Sequence, residues 1–550
     1  MQITSPTAED QRGKEQDDQV PLRRQSEAEQ PDGETERDDQ HAGCDHRRRA
    51  GEVWTRRAPF IGGLAVGLAI FVRIPFWRTP LTSDEAGYAE VARLWDRGAT
   101  LYDGAWVDRP QGLVLIFRAI HLLGGSAMAM RITAAAVATL VVAATMLLAL
   151  RLARGRITPA VAGLLAATIG ASPFLESFTL SGELLASLPA LLSLLAFCAY
   201  LDRRRVCWLI GAGLLTGCAV LVKQSAFDAG LAAVAYLLWS ERRRGVGPAG
   251  MLATSALAPV ALAAAAAASF GEWWYAVVGY RFQGDSLLTG STSARMHLLW
   301  LSLPTAGKAL GLLAVLAAVG WRQAPLLARL WVAAALVGVL GGGNFHPHYY
   351  IQLVPPLSLL AAVGLRYLWG TRNRPAFSAA AAGAAATMAL ALPAAWASPG
   401  SQAREIWPRD PHLVHDAALA RYIRMHTRPH ERILVVWADA NLYYLADRAP
   451  ATRYLWFRNV ESIPGAVAAA RKALVKRHAA LVAVVQPPNR LDHTGRTARI
   501  LRRYYRLAGL VHGVAVYRSK TTRKTPDDDA HQGDVPREAQ VERQGDDAHG

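Results

Sequence analysis

The stretch that decides how this chain is read is residues 83–112, SDEAGYAEVARLWDRGATLYDGAWVDRPQG. It follows an apolar run, Ala58 to Trp77, long enough to cross a hydrocarbon core of roughly 30 Å. Two adjacent acids, Asp84 and Glu85, therefore stand where a chain would leave a membrane. A second acid–base pair, Asp108 and Arg109, precedes Pro110. Tyr88, Val91, Ala92 and Trp95 repeat at i, i+3, i+4 and i+7, which predicts a helix over 83–97. Thr82 to Glu85 has the form of a capping box at its start.

Outward from this stretch, the 550 residues are 52% hydrophobic, and the apolar residues fall in blocks. The blocks are about 18–22 residues long, the length of a membrane span. Spans are predicted at 58–77, 130–150, 157–175, 184–201, 207–222, 226–240, 249–270, 303–321, 325–343, 350–368 and 376–396. Clusters of Arg occur at Arg56-Arg57, Arg151 to Arg156, Arg203 to Arg205, Arg242 to Arg244, Arg322 to Arg329 and Arg372 to Arg374. With eleven spans these fall on every second connection, so the positive-inside rule makes that face cytoplasmic. The N-terminus is then expected inside and residues from 397 onward outside. Gly112 to Gly125 would be only about 21 Å long as a helix, too short to cross. It is predicted to lie along the interface instead.

Residues 1–55 and 519–550 are polar, charged and poor in apolar residues, so both are expected to be disordered tails. The first apolar run is too long and too late for a secretory signal peptide and is expected to remain as an anchor. The net charge of +17 sits in short clusters between spans, which excludes a nucleic-acid-binding stripe. Cys44, Cys198, Cys207 and Cys218 form no disulfide framework and no CxxC pair.

Towards the C-terminus the period changes. Residues 432–438 and 479–486 read as buried strands, with an amphipathic helix over 460–478 between them. The expected fold class is therefore mainly α: a polytopic membrane helical bundle of about eleven transmembrane helices over 56–396, its first outer loop at about 78–128. A small extracytoplasmic α/β domain over 397–518 follows. That region has no Gly-rich phosphate loop.

With this topology the polar anomalies collect on the outer face: Asp84, Glu85, Asp108 and Arg109 on the first loop, then Glu176 and Glu183, Lys223 and Gln224, Arg281 to Asp285, and Asn344 to Tyr350. Each has a plain structural reading. The first two acids suit a helix start, Arg109 suits a local salt bridge, Glu183 suits a cap, Lys223 suits snorkelling, and His346 and His348 suit a loop. Those readings leave the gathering on one side unexplained, and ionisable groups near membrane depth are costly. Carboxylates can accept a proton from an attacking hydroxyl, and cations can hold a phosphate. A phosphate leaving group at an outer leaflet points to a lipid-linked sugar donor.

The loop residues 84–112 resemble the first outer loop of the GT-C glycosyltransferases, nearest the branch of protein O-mannosyltransferases and lipid A aminoarabinose transferases (families 39 and 83). That loop begins Asp-Glu, continues as a surface helix ending in Gly and Tyr, and closes with Lys-Pro-Pro. Asp84-Glu85, Gly98, Tyr102 and Arg109-Pro110 match in order, with Arg109 for Lys and Gln111 for the second Pro. SPFLESFTLSGELL (172–185), LVKQSAF (221–227), HPHYYIQLVPPLSLLAA (346–362) and WADANLYYLADRAPATRYLW (437–456) resemble later family segments.

The resemblance implies inverting transfer of a hexose or pentose from a polyprenyl-phosphate donor to a protein, glycolipid or glycan hydroxyl, in a bacterial plasma membrane. It implies Asp84 and Glu85 as catalytic acids, with Asp84 the base. Arg109, Lys223 and Tyr349 would meet the donor phosphate, and Glu183, Asp108 and His348 would orient substrate. No cofactor is firmly implied; a divalent cation is compatible with the acids, but no metal ligands are assigned. The rival readings are a transporter or lipid flippase, and a non-catalytic scaffold. The first predicts charges near the bilayer midplane and internal repeats, which the sequence does not display.

Overall fold

The computed structural model describes residues 60–282, 291–437 and 439–520. The two predicted tails lie outside these residues, apart from the last two positions before 521. Every predicted span coincides with an apolar helix: α1 (Phe60–Phe76), α4 (Ala127–Leu152), α5 (Thr158–Thr168), α6 (Gly182–Arg203), α7 (Val206–Val222), α8 (Asp228–Ser240), α9 (Val246–Ala265), α11 (Thr292–Gly320), α12 (Leu326–Gly342), α13 (Val354–Gly370) and α14 (Arg374–Trp396). Helices α4, α6, α9, α11, α13 and α14 are, with their flanking 3₁₀ turns, long and apolar enough to cross a membrane. The others are shorter. Most of α9 and α14 leaves its apolar surface exposed, as a lipid-facing helix would.

Three shorter helices lie between the long ones. α2 (Ser83–Asp96) and α3 (Gln111–Leu122) pack on each other, and α10 (Phe270–Val277) follows α9. α2 stops at Gly98, whose φ of +92° is open to glycine at no cost. The Ala99 N–H then bonds back to the Leu94 carbonyl, closing the helix end. The chain turns sharply at Tyr102 and Ala105 and enters α3 at Pro110. Gln111 fixes that entry: its amide donates to the Ala263 carbonyl of α9 at 2.7 Å and accepts from the Trp273 indole of α10 at 2.7 Å. The α3 helix is 12 residues long with five buried, so it is a half-buried helix and not a span.

After α14 come α15 (Pro399–Ile406), a 3₁₀ turn (Pro411–Val414), α16 (Asp416–Met425) and a four-stranded sheet. Strands β1 (Ile433–Val436) and β2 (Leu481–Val484), both expected from the sequence, pair in parallel. The helix expected over 460–478 is broken at Pro464-Gly465 into two, Phe457–Ser462 and Ala466–Val475. The sheet also contains a hairpin that the sequence reading omits, β3 (Tyr505–Val511) and β4 (Val514–Ser519), giving the order β1-β2-β4-β3. Its turn is His512-Gly513, both with positive φ, the two-residue loop that suits twisted strands. Helix α17 (Ala440–Ala446) carries this region onto α2.

Candidate active site

Helix α2 begins with the predicted capping box. The Thr82 hydroxyl accepts the Glu85 N–H at 3.2 Å, and the Glu85 carboxylate accepts the Thr82 N–H at 3.3 Å. Glu85 does more than cap. It ion-pairs with Arg131 of α4 and accepts the Leu180 N–H at 2.8 Å. Arg131 in turn donates to the Pro80 carbonyl at 3.1 Å. Both side chains are almost wholly buried, at 2% and 1% exposure. The carboxylate paired with Asp84 in the catalytic expectation is thus occupied in anchoring α2 to α4 and to the turn before α6. Nothing in the sequence near Glu85 announces this, because its partners are 46 and 95 residues away.

Asp84, one residue earlier, points elsewhere and is partly exposed. Its Oδ1 accepts the Trp456 indole N–H at 3.0 Å. Gly87, one turn on, makes room for that indole: a β-carbon there would collide with the Trp456 ring and with Ala440. Tyr88 packs on Trp456 with ring centroids 5.5 Å apart. It also meets the Phe117 ring edge-on at 5.6 Å and the Arg109 guanidinium 5.9 Å from its centroid.

Arg109 and Asp108 are held by the loop's own contacts. The Tyr102 hydroxyl donates to the Arg109 carbonyl at 3.1 Å, and Gln224 donates to the Asp108 carbonyl at 2.9 Å. Arg109 Nη1 lies 2.5 Å from the Asp108 carboxylate, which also meets Arg281 at 3.1 Å. Burial opposes charge on Asp108, but Arg109 foremost, then Arg281 and Lys223, outweigh it and hold the carboxyl below its usual pKa. Burial likewise opposes the charge on Arg109. Asp108, Tyr88, Tyr349 and Asp84 more than compensate and raise its pKa. Only Nη1 of Arg109 is committed, so Nε and Nη2 have no hydrogen-bond acceptor among the described residues.

A second cation faces this loop. Lys223 ends α7, and its ammonium is 2.5 Å from the carboxylate of Glu183, in the first turn of α6. The same ammonium sits 4.2 Å from the centre of the Tyr349 ring. Tyr349 belongs to a 3₁₀ helix, Pro347–Leu353, in which His348 Nδ1 lies 3.0 Å from Glu176. His346 and His348 stack in parallel with centroids 5.5 Å apart. A cavity opens beside Lys223 and Glu183, walled by Asp228, Trp331, Gln352 and Pro355. Asp228 is itself satisfied, by Trp331 and Gln352 at 2.7 Å each.

Of the residues expected from sequence, Asp84, Asp108, Arg109, Glu183, Lys223, His348 and Tyr349 thus form one polar cluster, assembled from five segments; Glu85 is set behind it. Tyr88, Glu176, Arg281 and Trp456 join them. Tyr88 lies on the helix face that the sequence pattern marks as buried, and Trp456 closes a segment quoted above. Neither carries a local signal for its contact with the cluster. The sequence assigns no metal ligands, but among the described residues His412, Asp416 and Asp439 come within metal-binding reach of one another.

Comparison with known proteins bears on this arrangement. Residues 108–265 match the family model described as dolichyl-phosphate-mannose-protein mannosyltransferase. The solved structure of ArnT from Cupriavidus metallidurans bound to undecaprenyl phosphate superposes with a TM-score of 0.56 at 15% identity, covering 84% of this chain and 98% of ArnT. The fold is that of the GT-C membrane glycosyltransferases. The apo state of the same ArnT agrees, with a TM-score of 0.56 over 82% of this chain and 97% of that one, again at 15% identity. No curated protein matches the sequence.

With six helices long and apolar enough to cross a membrane among the described residues, this is a multi-pass membrane protein. The matched segment starts at Asp108 and so takes in Arg109, Glu183 and Lys223. The cluster gathers a carboxylate held by an indole and two buried cations, each with an aromatic ring beside it. Such a set can take a proton at one end and stabilise an anion at the other.

Proposed function

We propose that this chain transfers a hexose or pentose from a polyprenyl-phosphate donor to an acceptor hydroxyl, with inversion, on the outer face of a bacterial plasma membrane. In this orientation the N-terminus is cytoplasmic, and the region after residue 396 is an extracytoplasmic domain. The observation that carries the reading is the meeting of Asp84, Arg109 and Lys223, from segments far apart in sequence, in one polar cluster. ArnT, which shares the fold, holds undecaprenyl phosphate, and that supports a polyprenyl phosphate as the lipid carrier.

The chemistry follows from the charges. The acceptor oxygen attacks the anomeric carbon as its proton passes to the Asp84 carboxylate. The bond from that carbon to the phosphate oxygen breaks, and its electron pair leaves on the phosphate. Arg109 offers the free part of its fork, and Lys223 offers a point charge, to the negative charge that develops. Asp108 and Glu183 hold those two cations in place, Tyr349 backs Lys223, and His348 borders the sugar side. The acceptor is a protein, glycolipid or glycan hydroxyl.

Binding of undecaprenyl phosphate to the purified protein tests the phosphate half of the reading. Arg109→Gln and Lys223→Met should each weaken it at least tenfold, the loss of one charge-assisted contact. Equal binding by wild type and both variants would overturn the assignment.

A further inference from the structure

Behind the N-terminus of α2 lies a cluster that the transfer chemistry does not use. His412 sits in the 3₁₀ turn before α16, Asp416 in the first turn of α16, and Asp439 between β1 and α17. His412 Nδ1 is 3.1 Å from Asp416 Oδ2 and 3.3 Å from Asp439 Oδ2. One ligand atom from each of the three lies within 4.8 Å of the others. Ligand atoms bound at 2.0–2.1 Å around a tetrahedral zinc are about 3.3 Å apart, close to the two distances from His412 Nδ1.

A second observation points to a ligand. The Asp439 side chain is 10% exposed, and its Oδ2, which faces His412 across 3.3 Å, makes no well-aligned hydrogen bond among the described residues. Asn441, fully buried, donates its Nδ2 to Asp416 Oδ2 at 2.7 Å and leaves its own Oδ1 without a donor among the described residues. Buried acceptors without donors are costly and uncommon. A cation among them would satisfy both. Asp410 stands 3.9 Å from Nε2, the far nitrogen of His412, on the side where an outer carboxylate orients a ligating imidazole.

We propose that His412, Asp416 and Asp439 bind a divalent transition-metal cation, zinc by preference, with Asn441 Oδ1 or water completing the shell. One imidazole and two carboxylates suit zinc better than magnesium or calcium, which take oxygen alone. Ser83, at the start of α2, faces Asp439 and immediately precedes Asp84. The cation therefore pins the segment after β1 to the helix that carries Asp84. This is a site for a positioning ion, and it stands independently of the transfer reaction.

Titrating chelator-treated, full-length protein in detergent with zinc chloride, followed by calorimetry, tests the proposal. One zinc per chain is expected, with a rise in the thermal unfolding midpoint. Asp439→Asn and His412→Gln should each weaken uptake at least tenfold and abolish that rise. X-ray absorption of the zinc-loaded wild type should report a shell of one nitrogen with oxygens, which needs no variant to fold. Absence of stoichiometric uptake by wild type, a shell lacking imidazole, or undiminished uptake by both variants would each overturn it. The last two outcomes would leave the cluster a closed hydrogen-bonded network.

Discussion

Replacing Glu85 by glutamine keeps the size of the side chain but removes the charge opposite Arg131. The amide oxygen can still accept the N–H of Leu180 or of Thr82, whereas the guanidinium loses its only carboxylate among the described residues. Arg131 is 1% exposed, so water cannot take over. Removing one partner of a buried pair costs about 3–5 kcal/mol, most of it the penalty on the charge left behind. In a chain this large that corresponds to a fall of order 5 °C in the unfolding midpoint. Asp84→Asn should differ sharply. Its amide oxygen still accepts the Trp456 N–H, so the loss stays within about 1 kcal/mol. The assay is thermal unfolding of both variants in the same detergent, with Glu85→Gln/Arg131→Met as a third sample. The double variant should recover most of the stability, since an apolar replacement of both partners removes the stranded charge. An unfolding midpoint for Glu85→Gln equal to wild type would refute the anchoring role. So would a double variant no more stable than the single one.

Three further outcomes follow from the same geometry. Lys223→Met should lower the transfer rate about 100-fold by removing one cation from the leaving phosphate; pairing it with Glu183→Gln should restore stability but not rate, as measured by transfer and melting together. Trp456→Phe removes the indole donor to Asp84 and should reduce transfer about tenfold while shifting the melting midpoint little, because one hydrogen bond is worth about 1 kcal/mol. The carboxyl of Asp108 is held below its ordinary value of 3.8 by Arg109 and Arg281, so its contribution to stability is fully present above pH 3.8 and is lost as pH falls through the lowered pKa. Asp108→Asn should therefore flatten the acid limb of a melting-midpoint-against-pH curve; an unchanged limb would contradict this.

The helices were legible because lipid imposes a long apolar run on each span, and such runs are plain in one dimension. The start of α2 was equally plain, since a capping box is a local pattern. What failed was whatever depends on distant partners. Asp84 and Glu85 look equivalent in sequence, and only Arg131, Leu180 and Trp456 separate a tied carboxylate from an accessible one. The β3–β4 hairpin escaped because RLAGLV lacks clean alternation and β3 is mostly exposed. Its register also slips between Leu507 and Gly509. The predicted helix over 460–478 ran through Pro464-Gly465, where turn chemistry overrode an amphipathic pattern. The His412–Asp416–Asp439 cluster spans a loop, a helix start and a strand end, so no motif spacing announces it.

The most direct test of the central claim uses purified protein in lipid, a panel of radiolabelled polyprenyl-phosphate sugars, and a comparison of wild type with Asp84→Asn. The account predicts transfer of one sugar by wild type, and a variant that still binds that donor while transferring none of it. A variant that transfers at the wild-type rate, or a wild type that binds none of the panel, would contradict it.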